Sequence, residues 1–426
     1  MTKYVIVGAS AAGIGATEAI RELDPDGSLT VISDEIYPQY SRPMISDFVV
    51  NKTNFDKMKF RTDDVWIKNK AQTRFDKKAI KLNPNEKTII LEDGEKITYE
   101  KLLIATGGKP VVPKIEGSNK EGVFTFTTIK DAESLAAKIE SSNVKSAVVI
   151  GAGLIGISVT EALIKKGLKV TIVELQDKIL SLILDTKASE LFEGIIRKAG
   201  VNIVTGQSVQ KIAGKTNNEN VVGGIILTKG DQVSCDLVIM AIGVAPRIEL
   251  LVDTSIEINR GIVVDETMRT NIPNVYACGD VAEAYDLILK QNRLLPLWPL
   301  AMLGGKVAGY NMSGKKTIYK GETNMSSLKY FGVPIVSVGL ANPKNDPTLE
   351  VLVKYDVERG SYKKLVLKNN IIIGMTMVNC IERAGIFFYL IKNAVNVKKI
   401  KQQLLSDQFC LATLPTVLQK KMRVIQ

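Results

Sequence analysis

Lys3-Tyr4-Val5-Ile6-Val7-Gly8-Ala9-Ser10-Ala11-Ala12-Gly13 and Ser146-Ala147-Val148-Val149-Ile150-Gly151-Ala152-Gly153-Leu154-Ile155-Gly156 are the two stretches that decide the fold. In both, an apolar run reads as a buried strand and leads through a turn of small residues into a helix. The helices read as running through about Arg21 and from Ile157 to Lys166. The small residues are a physical requirement. The first glycine makes the tight turn, the next small position lets backbone N–H groups reach a pyrophosphate, and the last lets helix pack on strand. The helix N-terminus then faces the phosphates.

Each unit continues into a second strand that ends in acid. Leu29-Thr30-Val31-Ile32-Ser33 leads to Asp34 and Glu35, and Val170-Thr171-Ile172-Val173 leads to Glu174. A carboxylate at that strand end accepts hydrogen bonds from ribose hydroxyls, and Glu35 is preferred over Asp34 for this role. The same charge repels a 2′-phosphate, so the second unit reads as a site for NADH rather than NADPH. A single glycine cluster is often an ordinary turn. Two complete units in one chain imply two dinucleotides held so that electrons pass between them.

The chain has 426 residues, 45% of them apolar, which exceeds one ordinary core and points to two or three domains. No apolar run reaches the roughly 20 residues of a membrane helix. Met1-Thr2-Lys3 leads directly into a strand, so no signal or transit peptide is expected. Cys235, Cys278, Cys380 and Cys410 are scattered and form no close pair, which suits a reduced, cytoplasmic setting. There is no histidine at all. With neither histidine nor a cysteine cluster, zinc and iron–sulfur sites lack ligands, and no metal is expected.

The formal charge of +11 is concentrated near the end, where 13 lysines and 3 arginines from Thr317 onward face 7 acidic residues. Lys398, Lys399, Lys401, Lys420, Lys421 and Arg423 belong to this excess. It reads either as a solvated basic face or as a docking surface for an acidic protein. No aromatic residues interleave the lysines, so nucleic acid is not the expected partner.

Between and beyond the two units, Tyr40-Ser41-Arg42-Pro43-Met44-Ile45-Ser46 reads as a polar loop and short helix, and strand-like segments run from about Lys70 to Leu91. Glu100 to Gly108 reads as a strand ending in a glycine-rich crossing. Asp236 to Gly243 repeats it, so the pair brackets an inserted domain. Asn274 to Ala282 holds a buried strand ending in acid, and Leu297-Trp298-Pro299 opens a helix through about Asn311, its proline suited to the first turn. The tail alternates strands with an apolar helix near Ala384 to Val395. The expected class is α/β: two Rossmann-like, three-layer ββα nucleotide-binding domains, one inserted in the other, plus a C-terminal α+β domain. The expected bounds are 1–112 with 244–316, then 113–243 for the inserted NADH-binding domain, and 317–426 for an interface or docking domain.

Over roughly its first 315 positions the chain resembles the FAD-dependent pyridine nucleotide–disulfide oxidoreductase superfamily. The resemblance rests on both fingerprints, on Ala105-Thr106-Gly107, on Ala241-Ile242-Gly243-Val244-Ala245-Pro246 and on Tyr276-Ala277-Cys278-Gly279-Asp280, in the family's order. Tyr40-Ser41-Arg42-Pro43 and Trp298-Pro299 look like the branch of NADH:rubredoxin reductases, the flavin portion of nitrite reductases and the flavin subunit of phenylglyoxylate dehydrogenase. The tail resembles the family's interface domain only loosely.

The resemblance implies FAD held tightly by the first unit. Gly8, Ser10, Gly13 and Glu35 would hold its pyrophosphate and adenosine ribose. Arg42, with Pro43 beside it, would lie along the pyrophosphate and isoalloxazine, while Ala105, Thr106 and Gly107 would line the cleft. Asp280, after Gly279, would meet the ribityl chain, and Trp298 would open the helix whose N-terminus points at the flavin pyrimidine. Gly151, Gly153, Gly156 and Glu174 would bind NADH transiently, with Ile155 near the nicotinamide and Gly243 on the returning crossing. No side chain would be catalytic, because the flavin N5 carries the chemistry.

Two departures from the family pattern narrow the reaction. Where disulfide-reducing relatives keep redox cysteines the chain has Met44-Ile45-Ser46-Asp47, and it lacks their C-terminal histidine base. Thiol–disulfide exchange needs an attacking thiolate, so disulfide reduction is not expected. Ser158 replaces a glutamate that orients nicotinamide in many relatives; Asp47 replaces a lysine found near the flavin in some, and reads as facing solvent. The implied function is NADH oxidation through FAD, with electrons leaving to an external acceptor: an acidic rubredoxin- or ferredoxin-like redox protein, or a partner subunit. The alternatives are a noncatalytic nucleotide-binding subunit or redox sensor, and an NADH oxidase. The third domain is compatible with a homodimer.

Overall fold

β1 (Thr2–Val7) is buried from Tyr4 through Val7, as an apolar run without polar alternation must be when both faces of its sheet are covered. The structure, a computed structural model, describes residues 2–343, 346–416 and 418–419. Lys420, Lys421 and Arg423 of the basic excess lie outside the described residues. After β1 come α1 (Ala11–Leu23), β2 (Leu29–Ile32), β3 (Ala71–Arg74), β4 (Ala79–Asn83), β5 (Thr88–Leu91) and β6 (Lys96–Ile104). Their sheet has the order β3-β2-β1-β6-β5-β4.

β6 pairs with β1 along one edge and divides its other edge between two partners. Its first residues pair antiparallel with β5, whereas Leu102–Ile104 pair parallel with the later strand Val275–Ala277. The strand expected over 100–108 therefore begins earlier and stops at Ile104. Gly107 takes a φ of +71°, which breaks the extended backbone before the separate strand Gly108–Pro110. That short strand pairs antiparallel with Val244–Pro246. All of these strands belong to one unit, formed by Met1–Pro110 and Val244–Glu322.

The second unit comprises Val111–Gly243 and the chain from Thr323 onward. Its parallel sheet is built from β7 (Val123–Thr125), β8 (Ser146–Ile150), β9 (Lys169–Glu174), β10 (Asn202–Thr205) and β11 (Leu237–Met240), in the order β10-β9-β8-β11-β7. The helix α2 (Leu154–Lys165) starts three residues before the position expected, since Gly153 caps it in an extended conformation. A three-stranded antiparallel sheet, Val209–Lys215, Asn218–Leu227 and Gln232–Ser234, covers one face. Ile212, Val222, Ile225 and Leu227 pack there with Val148, Ile150, Val238 and Met240.

From Met325 the chain makes a five-stranded antiparallel sheet, with Met325–Tyr330 and Leu349–Asp356 at its edges and Ile371–Val378 at its centre. The helix Ala384–Lys392 buries Phe387, Leu390 and Ile391. It ends three residues sooner than expected because Asn393 caps it and Ala394 turns to a φ of +46°. Among the described residues, no helix is long and apolar enough to cross a membrane, and no group of three or more His, Cys, Asp or Glu side chains is placed to hold a metal ion.

Candidate functional site

In the first unit, four strand ends come to one edge of the sheet. Gly8 follows β1, Ser33 to Glu35 follow β2, Ala105 follows β6, and Cys278 to Asp280 follow Val275–Ala277; the parallel registers align them. The carboxyl edge of such a sheet is where ligands bind. Gly8 has a φ of +113°, and a Cβ there would collide with the Ala105 carbonyl oxygen. Gly13 presses equally closely on the Gly8 carbonyl, so α1 can begin directly above the sheet only with glycine at both places. Ser10 caps α1 without a side-chain hydrogen bond, and no acid stands in the first turn. The field of the helix N-terminus is thus left for an anion.

A second helix of this unit, Trp298–Met312, packs closely on α1 through small residues, with Met302 set against Gly15. A Cβ at Gly305 would collide with the Ala12 backbone, and one at Gly309 would lie 2.6 Å from the Ala16 carbonyl oxygen. Sequence reasoning missed this contact; the signal was small residues four apart, Ala301, Gly305 and Gly309. Like α1, this helix has no side-chain cap and no acid in its first turn. Trp298 stands edge-on to Phe60, with centroids 4.8 Å apart, and its indole N–H is buried with no hydrogen-bond partner among the described residues.

Glu35 is already engaged. One carboxylate oxygen is ion-paired with Arg42, and the other accepts a hydrogen bond from the Tyr40 hydroxyl at 2.9 Å. Burial opposes the charge of Arg42, but Glu35 and Tyr40 outweigh it and hold the guanidinium above its ordinary pKa. Asp34 pairs instead with Arg247 at 2.6 Å. Arg247 is a further residue that sequence reasoning missed, although it directly follows the Ala245-Pro246 motif. Its carbonyl accepts from the Thr106 hydroxyl at 2.8 Å and its N–H donates to the Gly107 carbonyl at 2.9 Å.

Asp280 is half-buried; burial pushes its carboxyl up, and the nearby Arg42 pulls the other way. Pro43 is exposed in the short turn Arg42–Met44, and Asp47, on Ile45–Val49, is half-exposed and paired with Lys52 at 3.0 Å. Cys278 is buried and its thiol is pushed up to about 12, which leaves it protonated and inert at neutral pH.

The second unit repeats the strand-end arrangement with a different fate for its acid. Gly151 has a φ of +102°, and a Cβ there would lie 2.5 Å from the Ala241 carbonyl oxygen. Gly156 presses on the Gly151 carbonyl as Gly13 does on Gly8. Gly153 is exposed at the helix cap with open space around it, and Gly243, at φ +129°, also borders open space. Ile155 and Ser158 are half-buried on α2. Glu174 bends over its own turn: Oε2 accepts from the Ala152 N–H at 2.6 Å and Oε1 from the Gln176 N–H at 2.8 Å.

Each unit therefore combines a glycine cradle, an uncapped helix N-terminus and an acid at the neighbouring strand end. Those are the elements that take a dinucleotide's pyrophosphate and ribose. The first unit also fits the larger FAD, because its cradle leaves no room for a Cβ while a buried indole N–H has no hydrogen-bond partner among the described residues and a half-buried carboxyl faces Arg42 beside it.

A family model described as pyridine nucleotide-disulphide oxidoreductase matches residues 2–305, and one described as the rubredoxin NAD+ reductase C-terminal domain matches residues 325–395. The chain is 32% identical over 412 residues to the NADH-dependent phenylglyoxylate dehydrogenase subunit epsilon of Aromatoleum evansii, covering 95% of each. It is 32% identical over 357 residues to a protein named NADH oxidase from Methanocaldococcus jannaschii, covering 81% of this chain and 78% of that one. The crystal structure of NADH:rubredoxin oxidoreductase from Clostridium acetobutylicum superposes with a TM-score of 0.76 at 29% identity, covering 94% of this chain and 97% of that one. With a family match over most of its length and relatives of this identity and coverage, the chain belongs to the pyridine nucleotide-disulphide oxidoreductase family.

Proposed function

We propose that this protein oxidises NADH and passes the electrons to an external carrier protein, rubredoxin- or ferredoxin-like, or to a partner subunit. Family membership makes it an oxidoreductase that uses FAD and NAD(H). When bound, FAD would supply the electron chemistry between NADH and the acceptor. The chain's own residues bind and orient. Gly8, Ser10 and Gly13 would cradle the FAD pyrophosphate. Glu35 and Arg42 would meet the adenosine ribose and pyrophosphate, and Ala105, Thr106, Gly107, Gly279, Asp280 and Trp298 the remainder. Gly151, Gly153, Gly156 and Glu174 would hold NADH, with Ile155 and Gly243 beside it.

The observation that carries the external exit is chemical. Positions 44–47 hold no thiol, and Cys278, beside the strand-end cluster, is held as an inert thiol by burial. No sulfur relay is at hand to reduce a disulfide. Two relatives bear names that fit the reading, one an NADH:rubredoxin oxidoreductase and one a subunit of a dehydrogenase. We further assign 1–112 with 244–316 to FAD, 113–243 to NADH and 317–426 to docking, in a cytoplasmic protein that assembles as a homodimer.

The net charge of +11 favours an acidic carrier. Anaerobic NADH oxidation against a panel of acidic carriers tests the proposal. Turnover with the natural carrier is expected to fall about tenfold or more between 50 and 500 mM salt, as screening shortens the reach of the charges. A rate independent of salt removes the docking argument. A second reading, direct transfer to dioxygen, is favoured by the relative named NADH oxidase; oxygen consumption at the rate of NADH oxidation, without a carrier, would establish it.

A further inference from the structure

The segment Leu175–Asp185, which follows the acid of the second unit, is tied on one side to the nucleotide turn and on the other to the C-terminal sheet. On the turn side, the Leu180 N–H donates to the Ala152 carbonyl at 2.9 Å, with Leu180 held at a φ of +50°. Ala152 is the residue whose own N–H is taken by Glu174. On the sheet side, the Asn342 amide donates to the carbonyls of Ser181 at 2.9 Å and Leu184 at 2.7 Å. Asp185 accepts from the Tyr362 hydroxyl at 2.5 Å, from Lys364 at 2.7 Å and from the Ala188 N–H at 3.0 Å.

These contacts hold charged and polar groups away from water. Lys364 is only 5% exposed, so its ammonium has exchanged water for Asp185 and for the Asn342 amide oxygen at 3.4 Å. Burial pushes the Asp185 carboxyl up, yet Lys364, Tyr362 and the Ala188 N–H outweigh it and hold it below its ordinary range. A desolvated pair of this kind adds little net stability over an apolar pair, but removing one partner is strongly destabilising because the other charge is left uncompensated. The segment needs that help, since it exposes Leu175 and Leu182 at 66% and 89% and carries a non-glycine residue at positive φ. A second tie fixes the dinucleotide helix itself, where the Glu161 carboxylate accepts from the Phe331 N–H at 3.0 Å.

We propose that the C-terminal sheet is a positioning element for the second cradle: Asn342, Tyr362 and Lys364 hold Leu175–Asp185 against the Ala152 turn and thereby set the affinity for the dinucleotide. A segment ordered before the ligand arrives does not lose that freedom on binding, so the ligand keeps more of its interaction energy. The proposal rests on the reading that this turn takes NADH.

The test compares Asn342→Ala and Tyr362→Phe with the wild-type protein, each loaded with FAD. NADH dissociation constants come from calorimetry; KM and kcat come from ferricyanide reduction, alongside flavin content and melting temperature. Asn342→Ala is expected to weaken NADH binding about tenfold, the worth of the backbone-directed hydrogen bonds lost. KM should rise in step, while kcat and flavin content stay as in the wild type. Tyr362→Phe, which keeps the ring and loses only the hydroxyl, is expected to act in the same direction at about threefold, and decides the matter if the alanine variant does not fold. Lowered melting temperatures with unchanged NADH affinity would reduce these residues to packing and overturn the proposal. Wild-type protein that binds FAD but no NADH would overturn the underlying reading, a result distinct from the first because it needs no variant.

Discussion

The two glycine cradles share a backbone plan and differ in how their parts are committed. In the first, nine of the thirteen residues of α1 are buried, and a second helix closes over it through Gly305 and Gly309. Its acid, Glu35, is engaged by Arg42 and Tyr40. In the second, six of the twelve residues of α2 are buried, Gly153 opens to solvent, and Glu174 lies directly on the Ala152 N–H. Enclosure and a counterion suit a group that stays bound; an open turn with a poised carboxylate suits one that comes and goes. On the function proposed above, what surrounds one local motif would tune how long its ligand stays.

The largest test of that contrast is the first glycine of each turn. Gly8→Val should yield protein without the visible absorbance of flavin, because the side chain meets both a forbidden φ and the Ala105 carbonyl. Gly151→Val should keep its flavin and lose measurable NADH binding. If Gly151→Val also loses flavin, the two cradles are not independent. Next comes the acid of the second turn. Glu174→Gln presents an amide N–H group or leaves a backbone N–H unsatisfied, and should weaken NADH roughly ten- to hundredfold, as the loss of a charged hydrogen bond does, while narrowing the preference over NADPH. An unchanged NADH to NADPH ratio would reject Glu174 as the selector.

A smaller effect is expected from Asp280. Its folded carboxyl is raised above the unfolded one by burial, so in the FAD-free protein the folded state holds a proton that the unfolded state releases. Stability is therefore full below the ordinary carboxylate range and declines as pH rises through the raised value. Asp280→Asn should flatten that decline in melting temperature against pH, and an unaltered curve would show that another group causes it.

The turns and strands of both cradles could be read from the sequence because their determinants lie next to one another: a run of β-branched residues, a glycine with positive φ, a proline in a first turn. The partners of the acids could not. Glu35 is seven residues from Arg42, near enough to be guessed, but Asp34 meets Arg247 across 213 positions and Asp185 meets Lys364 across 179, with no local pattern linking either pair. Between these extremes lies a repeat that was readable and overlooked. Thr17-Glu18-Ala19 and Thr160-Glu161-Ala162 occupy the same place in the two helices, four residues past the last glycine of each turn. Each glutamate is spent on a covering segment: Glu18 takes Arg61 at 2.6 Å, and Glu161 takes the Phe331 N–H.

The half-buried Asp185 to Lys364 pair bears on how this chain can be cut and recombined. A boundary drawn near residue 316 would strand one charge in each fragment, and losing one partner of such a pair costs more than the pair contributes. A chimera that borrows the nucleotide preference of a relative must therefore carry 111–243 together with the chain from 323 onward. The graftable cassette is discontinuous in sequence, and its two pieces travel together or not at all.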